Sequence, residues 1–209
     1  MGGREVAAAK EQREALAVRR PAVVMLVELR NFTRMSEMLD APRVLSLAND
    51  FFSLGANAVE ANGGEVFAVQ NDSLMAAFAD GDAAKFAPQA IAAAQQIQRE
   101  FGTLEEAWKT DFGLQAAVAI GLHLGDTVFG VAGPQRDRQY VAFGDSVSIA
   151  ERLMHRARAG EFVISKPVAE ALKSAQVTLE VQSLPPLELV RRPAIQIYGV
   201  LLDTRLDFT

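Results

Sequence analysis

The side chains that could do chemistry in this 209-residue chain are carboxylates, hydroxyls and guanidinium groups rather than thiols. There is no cysteine, which excludes a disulfide scaffold, a cysteine nucleophile and a thiolate metal site. The two histidines, His123 and His155, are too few for a histidine-rich metal site. His123 falls on a predicted strand, where we expect it to be packed and hydrogen-bonded. Ser148 and Arg152 lie four residues apart, so a helix would place both side chains on one face.

The composition excludes several classes of protein. The length fits one domain with short extensions, and half of the residues are hydrophobic, as in an ordinary globular core. The formal net charge of −5 and the absence of an evident basic face argue against a nucleic-acid partner. Apolar stretches are broken by charge or glycine before they reach membrane-spanning length, and residues 1–20 lack a signal-peptide pattern. We expect a cytoplasmic domain. The sequence leaves open whether a membrane or sensor segment lies upstream.

Strands and helices are predicted to alternate along the chain. Residues 1–20 are expected to form a lead-in or linker, with a helix over 4–19 that ends before Pro21. Thr33 or Ser36 is expected to cap the next helix. The remaining helices are predicted around Pro42 up to Asn62, and over 83–101, 146–158 and 167–172. Strands are predicted over 22–29, 66–69, 74–78, 116–131 (interrupted at Gly125), 138–143, 161–165, 177–183 and 195–202. This order predicts an α/β sandwich, one sheet covered by helices, over residues 21–204 with a tail at 205–209.

Five segments, in this order, resemble the motifs of class III adenylate and guanylate cyclase catalytic domains. LVELRNFTRMSE (26–37) and GGEVFAVQNDSLMAAF (63–78) are similar to the two metal-binding motifs of that family. VAIGLHLGDTVFGVAG (118–133), YVAFGDSVSIAERL (140–153) and GEFVISKPVAEAL (160–172) resemble the motifs that follow, and PAIQIYGV (193–200) resembles the last strand. The resemblance implies a ferredoxin-like βαββαβ core with additional strands and helices, ATP or GTP as substrate, and a head-to-tail dimer with active sites at its interface.

A second cyclase family is excluded by Val66 and by the motifs on either side of it. GGEVF at 63–67 is superficially similar to the signature of diguanylate cyclases. That signature needs an acidic residue where this chain has Val66, and the flanking motifs follow the class III pattern.

The resemblance implies a site for two divalent ions, Mg²⁺ or Mn²⁺, held by the carboxylates of Glu28 and Asp72. Taken singly, Glu28 is an ordinary charge at a strand end and Asp72 an ordinary turn residue. Their register in the motifs favours the metal role for both. The family has aspartate at position 28, so the extra methylene displaces the carboxylate by about 1 Å, and a misplacement of that size can cost ~100-fold in rate.

The resemblance also assigns the phosphate-binding and transition-state positions. Asn31, Phe32 and Thr33 match the loop whose backbone N–H groups hold the nucleotide phosphates, with asparagine where the family has glycine. Arg152 matches the arginine that neutralises charge on the phosphate, although a surface ion pair would explain it equally well as a single residue. Ser148 stands where the family has asparagine, and a serine is short enough to need a bridging water to reach the ribose.

The base-recognition positions depart furthest from the family. The family uses a polar pair, whereas the aligned residues here are Ala68 and Val141, which cannot hydrogen-bond a purine through their side chains. A site that loses such partners loses its discrimination. Arg191 or Arg192 lies in the region of the lysine that holds the terminal phosphates. These departures predict a degenerate cyclase.

Three functions are consistent with that interpretation. The first is an enzyme with weak or unselective turnover of ATP or GTP. The second is an inactive cyclase-homology module that dimerises and regulates an attached domain or an upstream sensor. The third is a heterodimer in which another chain supplies the missing groups. Restoration of polar residues at Ala68, Val141 and Ser148 discriminates between them.

Overall fold

The computed structural model describes residues 17–201, which form one mixed sheet of eight strands with helices on both faces. The strands are β1 (Val18–Arg30), β2 (Glu65–Gln70), β3 (Ser73–Phe78), β4 (Ala117–Ala132), β5 (Gln139–Phe143), β6 (Glu161–Ser165), β7 (Gln182–Leu189) and β8 (Arg192–Leu201). The helices are α1 (Phe32–Met38), α2 (Ala41–Ala61), α3 (Ala83–Phe112), α4 (Asp145–Arg156) and α5 (Lys166–Ser174).

The predicted βαββαβ core is confirmed by the strand order β2–β3–β1–β4–β6–β8–β7, with β5 paired to β4 outside that path. The first four strands pair antiparallel in the order β2–β3–β1–β4. The β1–β4 ladder is the longest, from Val18 opposite Phe129 to Arg30 opposite Ala117. Strand β6 pairs parallel to β4, and β8 and β7 extend the sheet antiparallel.

The two faces of the sheet carry different helices because successive strand residues point to opposite sides. One face packs against α2, α3 and α5 around a large aromatic and aliphatic core. Within it, the Phe101 ring meets Phe51 and Trp108 edge-on, with ring centroids 6.2 and 5.6 Å apart. Aromatic pairs in this arrangement contribute beyond their buried area.

The opposite face carries α4, which lies across β1 and β4. Val24 and Leu26 of β1 pack against Ala150 and Met154 of this helix. Gly121 of β4 lies so close to it that an added Cβ would stand 2.2 Å from the Ala150 carbonyl oxygen. Because no side chain fits there, glycine at this position fixes how closely the helix approaches the sheet.

The N-terminal boundaries differ from the sequence-based expectations. Residues 18 and 19 belong to β1, so the helix predicted over 4–19 does not reach them, and residues 4–16 lie outside the described range. Pairing of residues 18–20 with β4 overrides their local helix propensity. Thr33 and Ser36 lie inside α1 and do not cap it, since Asn31 precedes the helix without a side-chain cap.

Three further elements differ in extent. The break predicted at Gly125 is absent, because that residue stays paired with Ala22. Helix α3 continues eleven residues past the predicted end, since Trp108 continues its buried stripe. The strand predicted over 177–183 lies instead at Gln182–Leu189, where Leu184 and Leu187 pair with β8.

Candidate active site

A cleft of about 370 Å³ opens where β1 ends and the β2–β3 turn meets it. Its lining includes Glu28, Asp72 and the segment Asn31, Phe32 and Thr33. Glu28 lies near the end of β1 and Asp72 in the β2–β3 turn, and the Leu29 N–H donates to the Asp72 carbonyl oxygen at 2.8 Å, which holds the two segments together. The structure thus brings together the two predicted metal positions and the three predicted positions of the phosphate-binding loop, whereas Arg152 and Arg191 do not line this cleft.

Glu28 is largely enclosed, with 16 % of its side chain exposed. Its Oε2 forms an ion pair with Arg30 Nη1, and its Oε1 lies 4.0 Å from His155 Nε2. The ion pair lacks hydrogen-bond geometry, so this Oε2 is a buried oxygen with no hydrogen bond from residues 17–201. Arg30 uses its other terminal nitrogen to donate to the carbonyl oxygens of Met154 and Ala157, at 3.0 and 3.2 Å.

Arg30 therefore has two roles beside the cleft. It offsets the negative charge of Glu28, and it satisfies carbonyl groups at the C-terminal end of α4 that a helix leaves unpaired. The orientation of α4 is coupled in this way to the carboxylate at the centre of the cleft.

The donor set of the cleft fits a hard divalent cation. Glu28 and Asp72 supply carboxylate oxygens, which Mg²⁺ prefers, and Oε1 is the oxygen of Glu28 that lies outside the ion pair with Arg30. Among residues 17–201, no group of three or more His, Asp or Glu side chains is arranged to hold a metal ion. A cation held here would complete its coordination with waters or with phosphate oxygens, as Mg²⁺ commonly does.

The turn between β1 and α1 depends on Asn31. Its φ of 68° lies in the left-handed region, which asparagine tolerates better than most residues. Its side-chain nitrogen donates to the Gln115 carbonyl oxygen at 3.0 Å, which holds the turn against the loop before β4. Asparagine therefore adopts here a backbone conformation that glycine takes up most readily. Phe32 and Thr33 begin α1, where backbone N–H groups have no partner within the helix.

Ser148 and Arg152 do not line this cleft. Both are exposed on α4, and Arg152 Nη2 donates to the Glu188 carbonyl oxygen of β7 at 2.5 Å. Arg156, one turn further along, donates to the Pro185 carbonyl oxygen at 3.4 Å. The exposed face of α4 is thus attached to the β7 strand, and the arginine predicted to act on phosphate is engaged elsewhere in this chain.

Ala68 and Val141 lie on β2 and β5, two strands that pair with β3 and β4 and not with each other. Ala68 is exposed on β2 opposite Met75, next to an irregularity in the ladder, and Val141 pairs with Gly130 in the β4–β5 ladder. The residues that precede them touch, since the ring centroids of Phe67 and Tyr140 are 5.7 Å apart. A ring contact between adjacent residues thus links the two strands, and neither of the two positions carries a polar side chain.

The two arginines of the β7–β8 turn have different environments. Arg192 binds both carboxylate oxygens of Asp145, at 2.5 and 2.7 Å. The Arg192 hydrogen bond lowers the pKa of that carboxyl below its ordinary value. Arg191 is exposed and has a left-handed φ of 59°. Sequence reasoning missed the role of Asp145 because its partner lies 47 positions away, with no local signal.

His123 is buried, as the sequence predicted, and makes a hydrogen bond. Its Nδ1 lies 2.9 Å from Ser165 Oγ, and 6 % of the residue is exposed. Burial lowers the pKa of this imidazole to about 4, against an opposing effect of the nearby Asp145 charge. The ring is therefore neutral at physiological pH and serves packing between β4 and β6.

Comparison with known proteins gives one family over most of the chain. The model of the adenylate and guanylate cyclase catalytic domain matches residues 18–198. Adenylate cyclase 1 of Rhizobium meliloti is 28% identical over 142 residues, which cover 66% of this chain and 21% of that protein. The adenylate cyclase of Anabaena cylindrica is 28% identical over 135 residues, covering 64% and 27%. The chain thus matches roughly a fifth to a quarter of the length of these curated relatives.

Solved structures share the fold. The adenylyl cyclase CyaB from P. aeruginosa superposes with a TM-score of 0.82 at 24% identity, over 93% of this chain and all of that one. The guanylyl cyclase Cya2 gives 0.76 at 24% identity, over 88% and 93%. At such identities the likeness concerns the fold alone. Within residues 17–201, the helices are too short or too polar to cross a membrane.

Proposed function

Because the chain belongs to the adenylate and guanylate cyclase catalytic domain family, we propose that it converts ATP or GTP to the 3′,5′-cyclic nucleotide and pyrophosphate, with low turnover and little base selectivity. The observation that carries this proposal is the cleft shared by Glu28, Asp72 and the Asn31–Thr33 segment. The names of the curated relatives favour ATP as the first substrate to test. We place this activity in the cytoplasm, where both nucleotides are available.

The reaction is an in-line attack of the ribose 3′-hydroxyl on the α-phosphate, which depends on placement and charge neutralisation. Glu28 and Asp72 would hold two divalent ions, Mg²⁺ or Mn²⁺. Ions bound there supply neutralisation of the phosphate oxygens and a lower pKa of the attacking hydroxyl. The N–H groups of Phe32 and Thr33 would bind the phosphates at the start of α1, and the turn at Asn31 orients them.

A second copy of the chain is part of this proposal. Ser148 and Arg152 are exposed on α4 and lie outside the cleft, so one chain alone does not assemble both halves of the site. In a head-to-tail dimer, the cleft of one protomer would face α4 of its partner. Arg152 must then release the Glu188 carbonyl oxygen to reach a phosphate. Arg191, exposed at the β7–β8 turn, is the side chain available for the terminal phosphates.

Low selectivity follows from the base-recognition positions. Neither Ala68 nor Val141 donates or accepts a side-chain hydrogen bond, so an adenine and a guanine edge would meet the same apolar surface. Discrimination by hydrogen bonding, which can be very large, is then lost.

A second candidate is an inactive cyclase-homology module that regulates an attached sensor or another domain. Two contacts favour it: Arg30 offsets the charge of Glu28, and Arg152 is engaged with Glu188. A heterodimer, in which another cyclase domain supplies polar groups at the positions of Ala68, Val141 and Ser148, is a variant of the first proposal.

The deciding experiment measures cyclic product by mass spectrometry after incubation with ATP or GTP and Mg²⁺ or Mn²⁺, at several protein concentrations. We expect product that rises faster than linearly with protein and disappears in Asp72→Asn. Analytical ultracentrifugation in parallel establishes the dimer. A folded, dimeric protein without product under any condition contradicts the enzyme and leaves the regulatory module.

A further inference from the structure

A second cavity, of about 310 Å³, lies between α3, the beginning of β4 and Gly160. It has no lining residue in common with the cleft of Glu28 and Asp72. Its wall is formed mainly by apolar atoms, including the buried side chains of Phe101, Ala117 and Val118. The cavity is therefore separate from the proposed active site and has a different chemical character.

An acidic residue occupies a core position of this wall. Glu105 follows Phe101 by four residues and precedes Trp108 by three, so it continues the buried stripe of α3. It is 8 % exposed, and no hydrogen bond or ion pair from residues 17–201 reaches its carboxylate. Acidic residues are rarely this buried unless they are paired, and apolar residues are the rule at such positions.

The other polar groups of the cavity do not neutralise this carboxylate. The Gln98 amide nitrogen donates to the Gly160 carbonyl oxygen at 2.7 Å, which leaves the amide oxygen as an acceptor. Arg99 and Glu106 also line the cavity but are exposed, and Arg99 forms no ion pair with Glu105 within the described chain. The enclosed part of the site thus offers acceptors and a negative charge.

We propose that this cavity binds a small organic cation, an amine or amidine carried on a compact apolar group. The cationic nitrogen pairs with Glu105, and the apolar group packs against Phe101 and Val118. The volume corresponds to about ten water molecules at ~30 Å³ each, which sets the size of the ligand. Gly102 gives it room, since a Cβ added there would meet no atom within 4 Å.

The probe for this site is benzylamine, compared with its neutral analogue benzyl alcohol. Trp108 is the only tryptophan of the chain and contacts Phe101 of the cavity wall, so its fluorescence reports binding. We expect saturable binding of benzylamine to the native protein, and at least tenfold weaker binding of the alcohol. At a hundredfold excess over Kd, the thermal midpoint should rise by roughly 5–10 °C.

Two variants and a matched control complete the test. Glu105→Gln should weaken benzylamine at least tenfold, and Gly102→Leu should abolish binding of both probes by filling the cavity. Glu106→Gln removes an exposed charge at the rim and should leave the affinity nearly unchanged. The proposal is overturned by absence of saturable binding up to ~10 mM benzylamine, a range that covers weak fragments. Unchanged affinity in folded Glu105→Gln, or in folded Gly102→Leu, overturns it equally.

Discussion

The guanidinium group of Arg192 binds both carboxylate oxygens of Asp145, and this pair attaches the β7–β8 turn to the first residue of α4. Arg152 and Arg156 of the same helix donate to carbonyl oxygens of β7. Three arginine contacts therefore hold α4 against the far edge of the sheet, while Arg30 holds its other end next to Glu28. The helix that carries Ser148 is positioned from both ends.

The Asp145–Arg192 pair should make stability depend on pH in acid. The pKa of the Asp145 carboxyl lies below its ordinary value of 3.8 in the folded protein, because Arg192 hydrogen-bonds its ionised form. Its contribution is complete above pH 3.8 and is lost as pH falls through the folded-state pKa. Asp145→Asn should therefore be less stable than the native protein near neutrality, by a small amount because the pair is half exposed.

Urea unfolding between pH 2 and 7 checks this, and the difference between the two proteins should vanish at the acid end. Asp126→Asn, at an exposed position without an ion pair in the described chain, is the control and should show no such convergence. A constant difference at every pH would contradict the ion-pair explanation.

Arg152 should matter for turnover far more than its neighbour Arg156. Both side chains are exposed on α4 and both donate to β7 carbonyl oxygens, so their structural roles are matched. If Arg152 neutralises the phosphate in the reaction, Arg152→Ala should lower kcat by about 10³-fold, in the range of other phosphate-directed arginines. Arg156→Ala should change kcat less than about threefold. Similar losses in both variants would assign Arg152 a structural role only.

Replacement of Glu28 by aspartate should raise turnover. The substitution restores the aspartate that the resembling motif has at this position, and a change of about 1 Å in the placement of a reacting group can alter kcat by up to ~100-fold. Glu37→Asp, a change of the same kind in the same cleft, should have no comparable effect. The measurement is kcat with saturating MgATP. A lower kcat for Glu28→Asp would show that the longer side chain is matched to this site.

His123 should make the folded state less stable as pH falls from 6.5 to 4. The pKa of the imidazole is about 4 in the folded protein, because it is buried, and 6.5 in the unfolded chain. The unfolded state therefore takes up the proton first, which costs about 3 kcal/mol of unfolding free energy across that interval. In His123→Gln this part of the pH dependence should disappear from urea unfolding curves.

The native protein measured in parallel is the reference for this comparison. A native-like pH profile between 6.5 and 4 in folded His123→Gln would contradict the assignment.

Polar side chains at the base-recognition positions should create selectivity. Ala68→Lys with Val141→Asp and Ser148→Asn gives the chain donors and acceptors for adenine and the ribose. We expect the ratio of kcat/KM for ATP over GTP to rise at least tenfold, since each hydrogen bond to a base edge discriminates by about 1–3 kcal/mol. Ala68→Glu with Val141→Cys should shift the ratio towards GTP. Unchanged ratios in both folded variants would show that the base binds elsewhere.

Much of the fold could be predicted from the sequence because the central elements carry strong local signals. The strand around Val24 was predicted from a β-branched apolar run, the hairpin around Asp72 from two short strands with a turn between them, and α4 as a helix, and all three are confirmed. The prediction was wrong where a distant partner decides the structure. Residues 18–20 are strand because β4 pairs with them, and β7 begins late because its apolar residues match β8.

The residues of the candidate site were also predictable where a local motif carries them, and not where a distant contact decides their environment. The motif register identified Glu28, Asp72 and Asn31–Thr33, and the structure places them in one cleft. The contacts of Arg30 with α4 and of Arg192 with Asp145 join residues more than forty positions apart, so no local sequence pattern predicts them. Glu105 did have a local signal, since an acidic residue interrupts the apolar stripe of α3. Only the structure shows that a cavity lies beside this residue.

The close approach of α4 to Gly121 makes that position intolerant of substitution, whereas exposed positions of the chain tolerate it. A new side chain at Gly121 would meet the backbone of α4 at once, so mutation there ends in a disrupted scaffold. Ala68 and Ser148 are exposed, and a larger polar side chain at either displaces only solvent. Substitutions at Ala68 and Ser148 therefore leave the packing of the domain intact, whereas a substitution at Gly121 alters the contact on which the position of α4 depends.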